Sequence, residues 1–272
     1  MTASSVPPPL PADLIRRLRH PSERIAQGLC IGVGALVMMI LYAAVQEDKE
    51  FETWAYKGIG AAIAAYYWLQ VRAARVRGNA ILVSAEHWPE LHALVQECQA
   101  KLGLKDLKAY VVQDLVLEQA GMRLSGEDCL LLRASMVDAA LAKNDLQVLR
   151  FHIGRKCGQI AFGHYRFAAN TLPGMGRLVY PMHAWYMRCQ ERSADRAGLW
   201  VAGDAALAHR GLAVLAAGVQ IGGRLTPAAA RLQVDTARQS LWVRLVGWHG
   251  QRTFYPQRIV NLDKAAAELG VS

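Results

Sequence analysis

Apolar and polar positions fall first into long uncharged runs and then into periodic ones. Residues 25–45 (IAQGLCIGVGALVMMILYAAV) carry no charge and match the roughly 20 residues needed to cross the hydrocarbon core of a bilayer, which predicts a transmembrane helix. A second apolar stretch, residues 58–71 (GIGAAIAAYYWLQV), reaches that length only if residues 54–57 and 72–74 serve as interfacial flanks. It predicts a second span, with a surface or buried helix as the alternative.

The remainder has the mixed pattern of a folded domain. Leu91, Leu94, Val95, Cys98 and Leu102 share one face of a helix that starts at Pro89 and stops at Gly103. Residues 108–113 (KAYVVQ) and 129–133 (CLLLR) read as two strands, a hairpin or a neighbouring pair, in a small sheet. Asn144-Asp145 opens a helical pattern that runs to about residue 169, with Asp145 as its cap and Leu146, Leu149, Ile153, Ile160, Ala161 and Phe162 as its apolar content. Further helices are expected over residues 178–201, 204–223, 227–247 and 257–269. The apolar stretch 212–221 is too short to span a bilayer and reads as a core helix. No internal repeat is evident.

Composition and charge add location. Hydrophobic residues make up 53% and charged ones 19% of 272 residues, against about 45–50% and 25% in soluble domains, so part of the chain is expected in lipid. Arg16, Arg17, Arg19 and Arg24 precede the first span, Glu47, Asp48, Glu50 and Glu52 dominate the loop, and Arg72, Arg75 and Arg77 follow. The positive-inside rule then puts both flanks in the cytoplasm. The expected organisation is a disordered, basic tail over residues 1–24, a two-helix transmembrane region over 25–74, and a cytoplasmic domain over 75–272, in a multi-pass protein of the cell (inner) membrane. Pro7, Pro8, Pro9 and Pro11 argue against a helical or signal-type start. Five cysteines without metal-site spacing fit a reducing compartment. The net charge of +9 is spread along the chain with no nucleic-acid module signature, so membrane lipid rather than nucleic acid is the expected partner.

Two segments carry candidate chemistry, residues 158–164 (GQIAFGH) and 191–199 (ERSADRAGL). With the two leading spans, the PEL helix and the KAYVV strand, they resemble the membrane zinc metallopeptidases of the HtpX and CAAX prenyl protease type, over about residues 72–259. The resemblance implies an α+β, mainly helical gluzincin-like domain with a small β-sheet. In that family an HExxH helix supplies two zinc-binding histidines and a glutamate base. The equivalent residues here are Arg155, Lys156, Cys157, Gly158 and Gln159, fixed by the flanking LRF and IAFGH matches. A guanidinium has no lone pair to offer a metal, Lys156 replaces the base with a cation, and an amide oxygen at Gln159 is a poor zinc ligand. Glu191 falls where the resemblance places the third zinc ligand, and Asp195 on the family's buried aspartate.

Two acids one helical turn apart repel unless a cation lies between them. The expectation is an Arg155–Glu191 ion pair standing in for the metal, with Lys156 and Asp195 close by; a solvated Glu191 is the alternative. His152 and His164 are twelve positions apart and point about 120° away from each other, so they cannot share a metal. The other histidines, His20, His87, His92, His183, His209 and His249, are scattered. Cys157 reads as a buried structural cysteine rather than a nucleophile. Near the C-terminus TFYPQRI has Tyr255 where the family has a histidine before proline, followed by Arg258 and Ile259, and residues 117–122 lack the family's cleft-lining pattern.

The expected function is that of a catalytically inactive pseudopeptidase, acting by protein binding or scaffolding on another membrane or cytoplasmic protein, with no cofactor. An active zinc metalloendopeptidase with unusual ligands and a structural subunit of a membrane complex are the alternatives.

Overall fold

The computed structural model describes residues 12–46, 51–105, 107–113, 123–124, 127–165 and 179–272. The fold is mainly helical with one small sheet. Helix α1 (Ala12–Leu18) corrects the expectation of a disordered tail over residues 12–24, because Leu18 is fully buried and the Arg196 guanidinium donates to the carbonyls of Leu18 at 3.2 Å and Arg17 at 2.8 Å. Residues 1–11 lie outside those described. A seven-residue helix is too short to persist alone in water. Its contacts with the domain hold it.

Helix α2 (Glu23–Gln46) has two halves with different partners. Near its start, Ala26 and Cys30 pack on Tyr186 and Cys189. Farther along, Leu36, Met38, Met39, Ile40, Leu41 and Tyr42 are all exposed. Helix α3 (Phe51–Asn79) mirrors this: Tyr56, Ile59, Ile63, Tyr66, Tyr67 and Trp68 are exposed, whereas Ala73 and Val76 pack on Val112, Cys129 and Leu131 of the sheet. A helix apolar on all sides needs an apolar environment from outside itself. Among the described residues, two helices are long and apolar enough to cross a membrane, Glu23–Ala44 and Ala205–Gly222. The first is the expected span. The expected second span forms a helix but is not one of these two.

Among the described residues four short strands, β1 (Ile81–Leu82), β2 (Lys108–Val112), β3 (Arg123–Leu124) and β4 (Glu127–Arg133), lie in the order β1-β2-β4-β3. The two strands read from sequence are neighbours but parallel, Lys108 opposite Cys129 and Val112 opposite Arg133. A hairpin is therefore excluded, since parallel strands need a crossover. Helix α4 (Pro89–Lys101) covers the core with the expected Leu91, Leu94, Val95 and Cys98 face, and α5 (Ala134–Ala142) follows the sheet.

The centre of the domain is the pair α6 (Val148–Ala161) and α7 (Tyr180–Ala202). Small residues let the two backbones meet: a Cβ added at Gly158 would lie 2.3 Å from the Ala197 Cβ, and one at Gly154 would lie 2.6 Å from the Val201 Cβ. Helix α6 is shorter than expected at both ends. The Asp145 carboxylate pairs with Arg210 instead of capping, Gln147 takes the N-cap position without a side-chain hydrogen bond, and Gly163 leaves the helix at φ 73°. Glycine tolerates that left-handed turn at little cost.

Beyond α7, Asp204 caps α8 (Ala205–Gly222), which buries Ala208, Gly211, Leu212 and Val214 as a core helix. The single helix expected over residues 227–247 is two, α9 (Pro227–Arg238) and α10 (Leu241–His249), because Ser240 turns the chain and caps the second. Helix α11 (Tyr255–Leu269) closes the domain with Ile259, Leu262, Ala265 and Ala266 buried.

Candidate functional site

The close approach of α6 and α7 sets the candidate site. Arg155 leaves α6 and is 8% exposed, Asp195 leaves α7 and is 5% exposed, and Arg258, from the first turns of α11, is 8% exposed. Arg155 Nε donates to Asp195 Oδ1 at 2.5 Å. On the same carboxylate, Arg258 donates from Nε to Oδ2 at 2.9 Å and from Nη2 to Oδ1 at 2.7 Å, a bidentate fork. Its third nitrogen, Nη1, lies 3.4 Å from Glu191 Oε1, and the Thr253 N–H donates to Glu191 Oε2 at 2.7 Å.

These four side chains carry two positive and two negative charges, so the buried cluster is neutral. Burial opposes ionisation of Asp195, but the Arg258 and Arg155 charges and hydrogen bonds outweigh it and hold its carboxyl below the ordinary range. For Arg155, burial is the largest influence and lowers its pKa, partly offset by the Asp195 charge. A guanidinium remains protonated through such a shift.

The expected Arg155–Glu191 pair is therefore corrected. Arg155 is hydrogen-bonded to Asp195, and Glu191 is engaged by Arg258 and the Thr253 backbone. The cause is helical geometry, since Asp195 lies one turn along α7 from Glu191 and three positions before Gly198, where an added Cβ would lie 2.6 Å from the Arg155 side chain. Arg258 and Thr253 were missed as cluster members. The Arg-Ile pair was the one signal pointing to Arg258.

Lys156 is half-buried, as is Gln159, whose Oε1 accepts from the Tyr165 hydroxyl at 2.6 Å. His152 is 2% exposed and neither ring nitrogen has a hydrogen-bond partner. Burial, then the Lys156 and Arg155 charges, hold its pKa well below the usual imidazole value. Cys157 is fully buried, which pushes its thiol pKa up and leaves it a packing residue, as expected.

His164 belongs to a second polar cluster that sequence reasoning missed. Its Nε2 lies 2.9 Å from Glu23 Oε1, the Ser193 hydroxyl donates to Glu23 Oε2, and Arg19 lies 3.4 Å from Glu23 Oε1. The His20 N–H donates to Ser193 Oγ at 2.8 Å. Glutamate sits between serine and histidine here, so no histidine can take the serine proton as in a hydrolytic triad. Its effect is to lock the start of α2 onto α7.

Could the first cluster hold zinc? Both Asp195 oxygens accept hydrogen bonds from guanidinium groups, and both Glu191 oxygens are engaged. A cation placed there would meet Arg155 and Arg258. No imidazole or thiolate joins these two carboxylates, and their oxygens already serve guanidinium and backbone N–H groups, so the set does not fit a zinc ion. Among the described residues no three His, Cys, Asp or Glu side chains are grouped to hold a metal. The expectation for residues 117–122 lies outside the described residues. No family model, curated protein or solved structure matches the chain.

Proposed function

We propose that this chain is a membrane-anchored pseudopeptidase: a gluzincin-like domain of the HtpX and CAAX prenyl protease type that has exchanged its zinc site for an ion-pair cluster and acts by binding or scaffolding another protein. The observation that carries the reading is the neutral Arg155–Asp195–Arg258–Glu191 cluster at the crossing of α6 and α7. It occupies the place where the resemblance implies the metal. Guanidinium groups supply the positive charge that a metal would supply, and they tie three helices together.

The exposed apolar faces of α2 and α3 support a membrane hairpin, and the arginines before α2 and within the last turns of α3 support a cytoplasmic domain. On this reading the chain binds no zinc and performs no hydrolysis. The test is a peptidase assay of the detergent-purified full chain on an unfolded protein substrate, with added zinc and with a chelator. The expected result is no cleavage in either arm. Cleavage that zinc supports and the chelator abolishes would overturn the reading.

A further inference from the structure

Helices α7, α9, α10 and the turn leading into α11 line a half-open pocket of about 450 Å³ that meets the ion-pair cluster only at Thr253. Its walls are largely apolar, formed by Val234, Ala237, Val243, Phe254 and Pro256. Three arginines reach it, Arg188 and Arg192 from α7 and Arg244 from α10, and among the described residues no carboxylate lines it. That volume lies in the range of small-molecule sites, and apolar walls with a few convergent polar groups are their usual construction.

The arginines are the unusual feature. Arg188 is buried and donates from Nη1 to the carbonyls of Trp248 at 2.8 Å and of Gly250. Arg192, one turn along the same face of α7, has His20 Nε2 at 3.4 Å, while its Nε is buried without a partner. Like charges at that spacing destabilise a helix, and burial costs more when no anion offsets it. Burial and the neighbouring Arg192 charge both lower the Arg188 pKa. The acids nearest in sequence are occupied, Glu191 by Arg258 and Thr253.

Beside the cavity, α10 buries none of its residues and exposes Leu241, Trp242, Leu245, Val246 and Trp248. Aromatic and aliphatic side chains interleaved with arginine mark surfaces that lie at a lipid interface. We propose that this cavity binds one anionic lipid, its phosphate ester held by Arg188, Arg192 and Arg244 and its hydrocarbon lying along Val234, Val243 and Phe254. The same head-group chemistry is offered by free phosphate, so the test must separate the two. The inference is independent of the pseudopeptidase reading, since nothing in it depends on zinc.

The experiment uses the detergent-purified full chain and follows melting and calorimetric binding with three probes: short-chain phosphatidic acid, phosphatidylcholine of the same chain length, and inorganic phosphate. Phosphatidic acid is expected to bind saturably and raise the melting temperature, and phosphatidylcholine to do neither. Inorganic phosphate should need a concentration at least about tenfold higher, because burying two methylenes already accounts for roughly that factor. Combining Arg192→Gln with Arg244→Gln should weaken phosphatidic acid binding by about tenfold or more, since each guanidinium–phosphate contact is charge-assisted. Val243→Trp, which fills the cavity from an exposed helix, should abolish binding in a folded protein and decides the matter if the arginine variant does not fold. Equal binding of the two lipids, equal affinity for inorganic phosphate, or full binding by Val243→Trp would each overturn the proposal.

Discussion

Asp195→Ala is the most informative perturbation of the ion-pair cluster. The carboxylate accepts three hydrogen bonds from two buried guanidinium groups, so its removal leaves Arg155 without a hydrogen-bonded acid and Arg258 with only the 3.4 Å contact to Glu191. Breaking a buried pair by removing one partner costs about 3–5 kcal/mol, most of it the penalty of an uncompensated charge. For a domain of this size that corresponds to a fall in melting temperature on the order of 10 °C. A second variant separates charge from packing. Combining Asp195→Asn with Arg155→Leu removes one charge of each sign and leaves Arg258 with Glu191. It should be more stable than Asp195→Asn alone, with a coupling of about 1–3 kcal/mol in the double-mutant cycle. The assay is thermal and denaturant unfolding of the full chain in detergent. If Asp195→Ala melts within a degree or two of the parent, or the double variant gains nothing, the cluster does not clamp the helices and the reasoning fails.

The buried His152 makes stability depend on pH. Its pKa is lowered in the folded state, so the unfolded chain binds the extra proton, and stability falls as pH drops below about 6.5, by up to about 1.4 kcal/mol per unit until the folded-state pKa is reached. His152→Leu should reduce the slope of the melting profile between pH 6.5 and 5.5, leaving the smaller contributions of His20 and His209, and an unchanged slope would refute the assignment. Asp195 acts in a lower window, since its depressed pKa means that its contribution is complete above about pH 4 and is lost only as pH falls further. Gly158→Val should destabilise by at least about 1–3 kcal/mol through overpacking against Ala197, whereas Gly28→Val, at a position where an added Cβ meets nothing, should melt like the parent. Glu23→Ala should free the junction of α1 and α2, read as faster protease cleavage around residues 18–23. Cleavage at the parental rate would show that the His164–Glu23–Ser193 contacts do not hold that junction.

Much of the fold is legible because local pattern and burial agree. The periodic apolar face of α4, the KAYVV and LLLR strands, and the uncharged run 25–45 of the membrane-length helix each need only neighbouring residues to be read. Strand direction was not legible, since either a hairpin or a parallel pair satisfies the same alternation. Helix α1 was missed because its own sequence is marginal and its stability comes from Arg196 and the buried side of Leu18, which are distant in sequence. At the candidate site, residue types were readable but partners were not. The chemistry that disqualifies Arg155 as a ligand is local, whereas its pairing with Asp195 depends on how closely Gly154, Gly158 and Gly198 let two helices approach. Arg258 reaches the same carboxylate from 63 positions away. Its arrival turns a single expected ion pair into a four-membered cluster.

Metal content tests the central claim most directly. Zinc would be measured per chain in the detergent-purified protein beside a variant carrying Arg155→His, Lys156→Glu and Gln159→His, both after exposure to zinc and removal of the excess. The account predicts no stoichiometric zinc in the parent and about one per chain in the restored variant, since imidazole nitrogen and carboxylate are then available at zinc-binding spacing. One tightly held zinc per chain in the parent would contradict it.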